Sequence, residues 1–225
     1  GEKMSNIRIF VSHRIDIDSE TVDTPVYFPV RCGAVYDEEG NSEIQGDDTG
    51  DNISKLRMSF CEFTVQYWAW KNVDADYYGL CHYRRYLSFS DKRYKNTVFN
   101  MVRELKLTPH EKKKYHLDDT KKIEKTVKRY DMIIPGLAKA SEMSYNRAEV
   151  KTLREMWESY NGVYFEQGII DKMFSLIKEY SPEYYNSACE YFSGKYHRAF
   201  NCYIMKKELF VRMCEFQFPI MKRIT

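Results

Sequence analysis

The sequence lacks any apolar run that approaches the roughly 20 residues needed to cross a bilayer, and its start has no signal-peptide core. It also lacks an excess of one charge, because 35 Lys and Arg balance 33 Asp and Glu to a net charge of +2. Near-neutral charge gives no general electrostatic reason to bind nucleic acid. We therefore expect a cytoplasmic protein, at most peripheral at the inner face of a membrane, without a nucleic-acid partner.

Closely spaced cysteines are also lacking. The six cysteines lie far apart and form no CxxC pair, so they indicate neither a zinc site nor dithiol chemistry, and we expect them to be reduced and buried. A hydrophobic share of 43% beside 30% charged residues excludes a disordered chain. We predict a single domain over residues 4–225, with residues 1–3 as a tag remnant.

Short apolar runs alternate with helical patterns along the chain. We predict strands at 7–12, at the start of 76–87, at 130–135 and at 200–205. We predict helices at 51–72, 150–160, 167–180, 182–192 and 207–223. This alternation favours an α/β fold with a largely parallel sheet flanked by helices. Between two of the strands, residues 91–130 hold 13 Lys and Arg against 6 Asp and Glu, which we interpret as a basic helical insertion.

The most informative polar segment is the end of the central strand, where His82, Tyr83, Arg84 and Arg85 follow one another. Ligands of open α/β sheets bind beyond the carboxyl ends of the strands, and arginine suits phosphate oxygens. The segment is therefore a candidate diphosphate site, and the alternative is a set of solvated charges at a strand edge. Because strand neighbours face opposite ways, we expect His82 and Arg84 to share a face.

Two acidic segments could bind metal or nucleotide. The loop 46–55 resembles a Ca²⁺ or Mg²⁺ loop, but no glutamate follows at the EF-hand spacing. Asp51 and Asn52 could instead hold a base or ribose, or simply cap a helix. Asp74 and Asp76 resemble a two-carboxylate Mn²⁺ or Mg²⁺ motif, but they precede their strand. We therefore assign them to a turn at the opposite end from the ligand.

Candidate general bases are the acids after the central strands: Glu166, Asp171 and Glu215. Each of them taken alone is better explained as an ordinary surface acid. His13 follows the first strand, so it is expected at the same sheet edge as His82, although two histidines do not make a metal site.

Four segments together resemble one family. They are DNISK at 51–55, CEFTVQYWAWKN at 61–72, GLCHYRRYL at 79–87 and FNCYIMKKELF at 200–210. The family is that of capsular and exopolysaccharide synthesis proteins, long known only as a domain of unknown function and now regarded as glycosyltransferases, some linked to galactofuranosyl transfer. The resemblance extends in order over nearly the whole chain, although the basic stretch 91–130 is longer than expected.

The resemblance implies a Rossmann-like fold of the glycosyltransferase-A type, with a mixed, mostly parallel sheet. It also implies transfer of a hexosyl unit, galactofuranosyl or galactosyl, from a UDP-sugar to a glycan acceptor in capsular or exopolysaccharide synthesis. Carried onto this chain, the family motifs place in or beside the UDP-sugar site Asp51, Asn52, Ser54, His82, Tyr83, Arg84, Arg85 and Asn201. The end of the first strand also resembles the opening of the family, and we add Ser12 and His13 to the predicted site.

This reading predicts how the transfer would occur. Arg84, with His82 and Arg85, would stabilise the departing diphosphate in place of a metal. Asp171, with Glu215 as second choice, would deprotonate the acceptor hydroxyl, so that the sugar inverts. No cofactor is firmly predicted, because no well-placed carboxylate pair supports Mn²⁺ or Mg²⁺.

Two questions stay open at the level of sequence. The stretch 91–130, around Lys112, Lys113 and Lys114, could contact anionic lipid if the acceptor is lipid-linked, or could be a solvated helical arm. The chain could also be a non-catalytic module that binds a nucleotide or glycan within a polysaccharide assembly.

Overall fold

The structure is a computed structural model that describes residues 5–40, 42–95, 97–99, 101–104 and 106–225. It contains two compact units. Unit 1 comprises Gly1–Pro135 and Phe200–Arg212, and unit 2 comprises Gly136–Ala199 and Met213–Thr225. The single domain that the sequence predicts over 4–225, with its tag remnant, stays a prediction.

The described residues form eleven strands and eight α-helices. The strands are β1 (Ile7–His13), β2 (Tyr27–Arg31), β3 (Gln45–Gly46), β4 (Tyr77–His82), β5 (Arg85–Leu87), β6 (Thr97–Val98), β7 (Met101–Arg103), β8 (Met132–Ile133), β9 (Leu137–Lys139), β10 (Tyr196–Arg198) and β11 (Tyr203–Lys206). The helices are α1 (Arg57–Phe60), α2 (Phe63–Asn72), α3 (Pro109–Lys114), α4 (Thr120–Val127), α5 (Leu153–Glu158), α6 (Ile169–Tyr180), α7 (Tyr185–Ser193) and α8 (Lys207–Ile224).

Unit 1 contains a nine-stranded mixed sheet. Strands β3, β2, β1 and β4 lie side by side and pair in parallel. Beyond β4 the order continues through β5, β7 and β6 with antiparallel pairing, and β11 pairs antiparallel with both β4 and β8. The predicted α/β class, with a mixed sheet flanked by helices, is therefore confirmed.

Strand β1 is buried on both faces of the sheet, which explains its nearly continuous apolar sequence. Ile9 and Val11 belong to one hydrophobic core. The side chain of Phe10 points to the other face, where its ring lies 5.3 Å from that of Phe28 and 6.4 Å from that of Trp68. Full burial of each such side chain stabilises the fold by about 1.5 to 3 kcal/mol, so β1 is a firm support for residues at its end.

Two predicted elements differ from the structure. The helix expected over 51–72 is interrupted at Cys61, which has a positive φ of 47° between α1 and α2. The Cys61 carbonyl accepts hydrogen bonds from the Thr64 N–H (3.1 Å) and the Cys32 thiol (3.2 Å). The basic stretch 91–130 does contain two helices, α3 and α4, but strands β6 and β7 precede them.

Unit 2 contains the helices α5, α6 and α7 and the antiparallel pair of β9 with β10. Its core includes Ala140, Leu153 and Met156. The helices predicted at 150–160, 167–180 and 182–192 are confirmed. None of the helices in the described ranges combines the length and the apolar character needed to cross a bilayer.

The cysteine prediction is correct in part. All six thiols are free, and four of them are buried. Cys61 is exposed and Cys189 is partly exposed, so burial does not extend to these two.

Candidate functional site

The register of the sheet in unit 1 places four polar residues in one row. Ser12 of β1 lies beside His82 of β4, His82 lies opposite Arg85 of β5, and Arg85 lies opposite Arg103 of β7. Residues paired directly across strands project from the same face of a sheet. The row is thus built from three separate stretches of sequence, and it lies at the carboxyl ends of β1 and β4.

The chain reverses direction between His82 and Arg85. Tyr83 and Arg84 form the turn, so β4 ends at His82 instead of continuing through Arg84. The expectation that His82 and Arg84 share a strand face is therefore wrong, because alternation of faces holds only within one strand. The face of His82 is shared by Arg85, and the Arg84 N–H donates to His82 Nδ1 (3.4 Å).

A cleft of about 300 Å³ opens at this turn. It is lined by His82, Tyr83, Arg84, Arg85, Arg103 and Glu104. Three guanidinium groups face one carboxylate there, which leaves a local excess of positive charge. Guanidinium groups present paired N–H donors that match phosphate oxygens, so the cleft is suited to a phosphorylated anion.

Aromatic rings hold two of these arginines. The guanidinium carbon of Arg85 lies 3.9 Å from the centre of the Phe200 ring, and that of Arg84 lies 4.9 Å from the centre of the Tyr83 ring. Burial lowers the pKa of Arg85, yet a guanidinium in a protein keeps its proton at neutral pH. Stacking on a ring occupies the flat face of the guanidinium and leaves its N–H edge for a ligand.

Two histidines at the sheet edge are neutral at pH 7. Burial, with the nearby charge of Arg85, lowers the pKa of His82 to about 4. Burial, with the proximity of His82, lowers the pKa of His13 to about 4. Because His82 Nδ1 accepts the Arg84 N–H, the ring proton is assigned to Nε2. His82 therefore offers a hydrogen bond to a ligand and no positive charge.

The predicted residues at the end of β1 are buried. Ser12 is 4% exposed, and its carbonyl accepts the Tyr83 N–H (3.1 Å). His13 is 2% exposed and its Nδ1 lies 2.7 Å from Ser19 Oγ, whereas its Nε2 has no hydrogen-bond partner among the described residues. Both residues are thus buried next to the strand end that carries His82.

Asn201 lies just before β11, and its Nδ2 donates to Glu62 Oε1 (3.1 Å). Glu62 precedes α2 and is close enough to His82 and Arg85 to influence the pKa of both. Asn201 therefore belongs to the surroundings of the arginine cleft, although it does not line it.

Asp51, Asn52 and Ser54 are tied to neighbours within their own loop region. The Asp51 carboxylate accepts the Tyr67 hydroxyl (3.0 Å), and the Asn52 side chain donates to the Gly50 carbonyl (3.0 Å). The Ser54 hydroxyl donates to Asp47 Oδ1 (2.5 Å). None of these three is among the residues that line the described cleft, and their part in binding a nucleotide stays a prediction.

Sequence reasoning missed the buried carboxylate of Asp47. It is fully buried and accepts the N–H groups of Gly33 (2.9 Å) and Ala34 (3.0 Å). It also accepts the hydroxyls of Ser54 (2.5 Å) and Thr64 (2.6 Å). One side chain thereby joins the loop after β2, the turn before α1 and the start of α2.

A second set of charges lies at the ends of β1 and β2. Arg14 makes a two-point contact with Asp16 (2.8 and 2.5 Å), and Arg57 Nη2 lies 3.9 Å from the same carboxylate. The Arg57 side chain lies directly over Gly33, where an added Cβ would come within 2.1 Å of Arg57 Cδ. The only sequence signal for this arrangement is the glycine after a strand.

The two acids proposed as catalytic base lie in unit 2. The Asp171 side chain on α6 is 76% exposed and pairs with Arg154, and Glu215 is exposed on α8. The cleft lining belongs to unit 1 and contains Glu104, which accepts the Tyr115 hydroxyl (3.0 Å). The sequence does not point to Arg103 and Glu104, because the pattern of 91–130 predicts a helical insertion, whereas Arg103 ends β7 and Glu104 follows it. The roles of Asp171 and Glu215 stay predictions.

The two-carboxylate pattern does not fit a metal site at the cleft. Asp74 and Asp76 precede β4, as predicted, and so lie at its amino end. Asp74 pairs with Lys207, and Asp76 accepts the Asn6 N–H (2.8 Å). Over the part of the chain that the structure describes, no three His, Cys, Asp or Glu side chains gather as metal ligands would.

The family model described as "Domain of unknown function (DUF4422)" matches residues 8–225. The chain belongs to the DUF4422 family. The DUF4422 fold seen here is similar to the apo structure of the WbbM bifunctional glycosyltransferase, with a TM-score of 0.83 and 26% sequence identity. The match covers 97% of this chain and 37% of the WbbM chain. No protein with a curated description shows significant sequence similarity to the chain.

Proposed function

We propose that this DUF4422 chain is a glycosyltransferase domain. It would transfer a hexosyl unit, galactofuranosyl or galactosyl, from a UDP-sugar to a glycan acceptor in capsular or exopolysaccharide synthesis. The observation that carries the proposal is the cleft lined by Arg84, Arg85 and Arg103 at the carboxyl end of β4. The similarity to WbbM supports the same reaction class.

The arginine cleft suits the leaving group of such a reaction. As the bond from sugar to UDP breaks, negative charge develops on the diphosphate, and prepositioned cations stabilise it most where water is excluded. Arg85, held on the Phe200 ring, and Arg84, held on the Tyr83 ring, would take this charge. His82 would donate its Nε2–H to a phosphate oxygen. Stabilisation of the negative charge on the diphosphate is thus assigned to arginines, and no role is assigned to a metal.

The nucleoside would lie toward the ends of β1 and β2. Ser12, His13 and Asn201 flank the edge that carries His82, and Asp51, Asn52 and Ser54 are the contacts that the family resemblance assigns. Asp51 and Asn52 now bond to Tyr67 and Gly50, so a bound ribose or base would have to share or replace those hydrogen bonds.

Inverting transfer needs a base within hydrogen-bond reach of the acceptor hydroxyl. Asp171, with Glu215 as second choice, remains the proposal from sequence. Glu104 is a third candidate, favoured by one observation, because its carboxylate lines the same cleft as the arginines. Removal of the base by Asp171→Asn, Glu215→Gln or Glu104→Gln should lower kcat by about 100-fold or more and leave UDP affinity nearly unchanged.

The acceptor and the place of action are proposed from charge. The excess of 13 basic over 6 acidic residues in 91–130 supports contact with an anionic membrane surface, as a lipid-linked acceptor at the inner face of the membrane would require. We therefore propose that the domain acts in the cytoplasm, at the membrane periphery.

The diphosphate assignment is tested by titrating UDP and UMP into the purified chain. Arg84→Ala and Arg85→Ala should each weaken UDP binding by about 10- to 100-fold, because a hydrogen bond to a charged group contributes about 1.5 to 3 kcal/mol. UMP lacks the second phosphate, so its affinity should change much less. Arg93→Ala is the control, since Arg93 is exposed and does not line the cleft.

Equal UDP affinity in the parent, Arg84→Ala and Arg85→Ala proteins would refute the assignment. If UDP or a glycan binds tightly while a panel of UDP-sugars is neither transferred nor slowly hydrolysed, the chain is a binding module and not an enzyme. Slow hydrolysis with release of UDP would favour the enzyme.

A further inference from the structure

Unit 1 has a second concavity, in the basic stretch and apart from the arginine cleft. It measures about 460 Å³ and lies between the loop after β5 and helix α3. Five basic side chains line it: Lys92, His110, Lys113, Lys114 and His116. None of these residues lines the arginine cleft.

The walls of this basic cleft are attached to the core of unit 1. Tyr115, at the end of α3, is fully buried, and its carbonyl accepts the Phe89 N–H (3.0 Å). The Tyr94 ring lies edge-on to that of Tyr115 at 5.5 Å, and Lys114 Nζ lies 4.4 Å from the centre of the Tyr94 ring. The loop and the helix are therefore held against each other before any ligand arrives.

Two lysines of the basic cleft have no acidic partner among the described residues. The acidic lining residue Asp91 pairs with Lys122 at 2.9 Å, and Asp119 lies 3.5 Å from His116 Nδ1. Lys92 and Lys113 are exposed and make no ion pair among the described residues. Clustered lysines without acidic partners repel one another, and a multivalent anion relieves that repulsion.

We infer that the basic cleft is a binding site for a phosphate or diphosphate group, separate from the cleft assigned to the donor. Three ammonium groups and two imidazoles line the cleft as donors for phosphate oxygens. In His116 the nitrogen left for a ligand is Nε2, because Nδ1 lies 3.5 Å from the Asp119 carboxylate. The inference goes beyond the proposed function by assigning a defined site to a phosphate carried by a molecule other than the UDP-sugar. Its lipid-headgroup form rests on the membrane contact proposed above for 91–130. A phosphorylated soluble compound and a lipid headgroup present the same chemistry.

The test uses the full chain and inorganic pyrophosphate, with the ring signals of His110 and His116 followed by NMR. These two signals are assigned with His110→Gln and His116→Gln, and they report on the basic cleft alone. Pyrophosphate should shift both signals in a saturable manner. The double variant Lys92→Gln/Lys113→Gln should raise the Kd about tenfold or more, since it removes two of the three ammonium groups that line the cleft.

The matched control is Lys151→Gln/Lys195→Gln, which removes the same charge from exposed positions outside both the cleft and the stretch 91–130. Its Kd should stay within about twofold of the parent value. Absence of saturable shifts, or equal weakening in both double variants, would overturn the inference.

A vesicle arm distinguishes the source of the phosphate. Co-sedimentation with phosphatidylglycerol vesicles that is lost in Lys92→Gln/Lys113→Gln and kept in the control supports a headgroup site. Saturable pyrophosphate binding without vesicle binding supports a soluble phosphorylated ligand. UDP affinity, measured on the same proteins, should be unchanged in both variants. A failure of UDP to bind the parent protein would count against the donor proposal and not against this one.

Discussion

Acidification should destabilise the fold through His13 and His82. Both side chains have their pKa lowered to about 4, chiefly by burial, whereas an unfolded histidine titrates near 6.5. Between these two pKa values the unfolded chain binds more protons than the folded chain. The free energy of unfolding therefore decreases as the pH is lowered. The stability is fully present above pH 6.5 and is lost progressively as the pH falls toward 4.

The size of the loss follows from the shift. Lowering the pH from 7 to 5 should remove about 2 kcal/mol through His13, because one unit of pKa corresponds to about 1.36 kcal/mol. The contribution of His82 should be smaller, since this ring is only partly buried and solvent screens it. A total of about 2 to 4 kcal/mol is a large part of the 5 to 15 kcal/mol typical of a folded protein.

The assay is urea unfolding at pH 7 and pH 5, for the parent protein and for His13→Gln. Between pH 7 and pH 5 the free energy of unfolding of His13→Gln should decrease by about 2 kcal/mol less than that of the parent, whatever the stability of the variant at pH 7. The free energy of unfolding of the control His110→Gln, at an exposed position, should decrease by as much as that of the parent. An equal loss in His13→Gln and the parent would refute the reasoning. An NMR titration of His13 with a midpoint near pH 6.5 in the folded protein would refute it independently.

Two substitutions test the supports of the sheet edge. Asp47→Asn should lower the free energy of unfolding in urea by about 3 kcal/mol, because it weakens charge-assisted hydrogen bonds from four donors. The control Asp48→Asn, at an exposed position, should change it by less than about 0.5 kcal/mol. Equal effects of the two substitutions would contradict the role of Asp47. Gly33→Ala should lower the free energy of unfolding more than Gly40→Ala, since both glycines have a positive φ but only Gly33 lies under the Arg57 side chain. Equal decreases in the two variants would show that the Arg57 side chain moves away freely.

Much of the fold could be predicted from local sequence. The alternation of apolar segments indicated β1 and the helices of unit 2, because burial of one face or both leaves a periodic pattern. The position of Asp74 and Asp76 before their strand was also predicted correctly, because the apolar run that forms β4 begins directly after Asp76. The cationic segment His82 to Arg85 was recognised from residue types alone.

Other features depend on contacts between distant segments. A positive φ at Cys61 has no sequence signal, because the hydrogen bonds that hold it come from Cys32 and Thr64. Asp47 could not be told from the other acids of its loop, since its burial depends on donors from three separate segments.

By itself the sequence determined the residue types at the cleft edge, the α/β class and the order of the main elements, since all three leave local patterns of apolar and charged side chains. Only the tertiary structure decided which cations act together. The register of β4, β5 and β7 brings Arg103 beside Arg85, and the turn at Tyr83 separates Arg84 from the strand face of His82. Strand register is set by pairing between remote segments, and for that reason no single stretch of sequence encodes it.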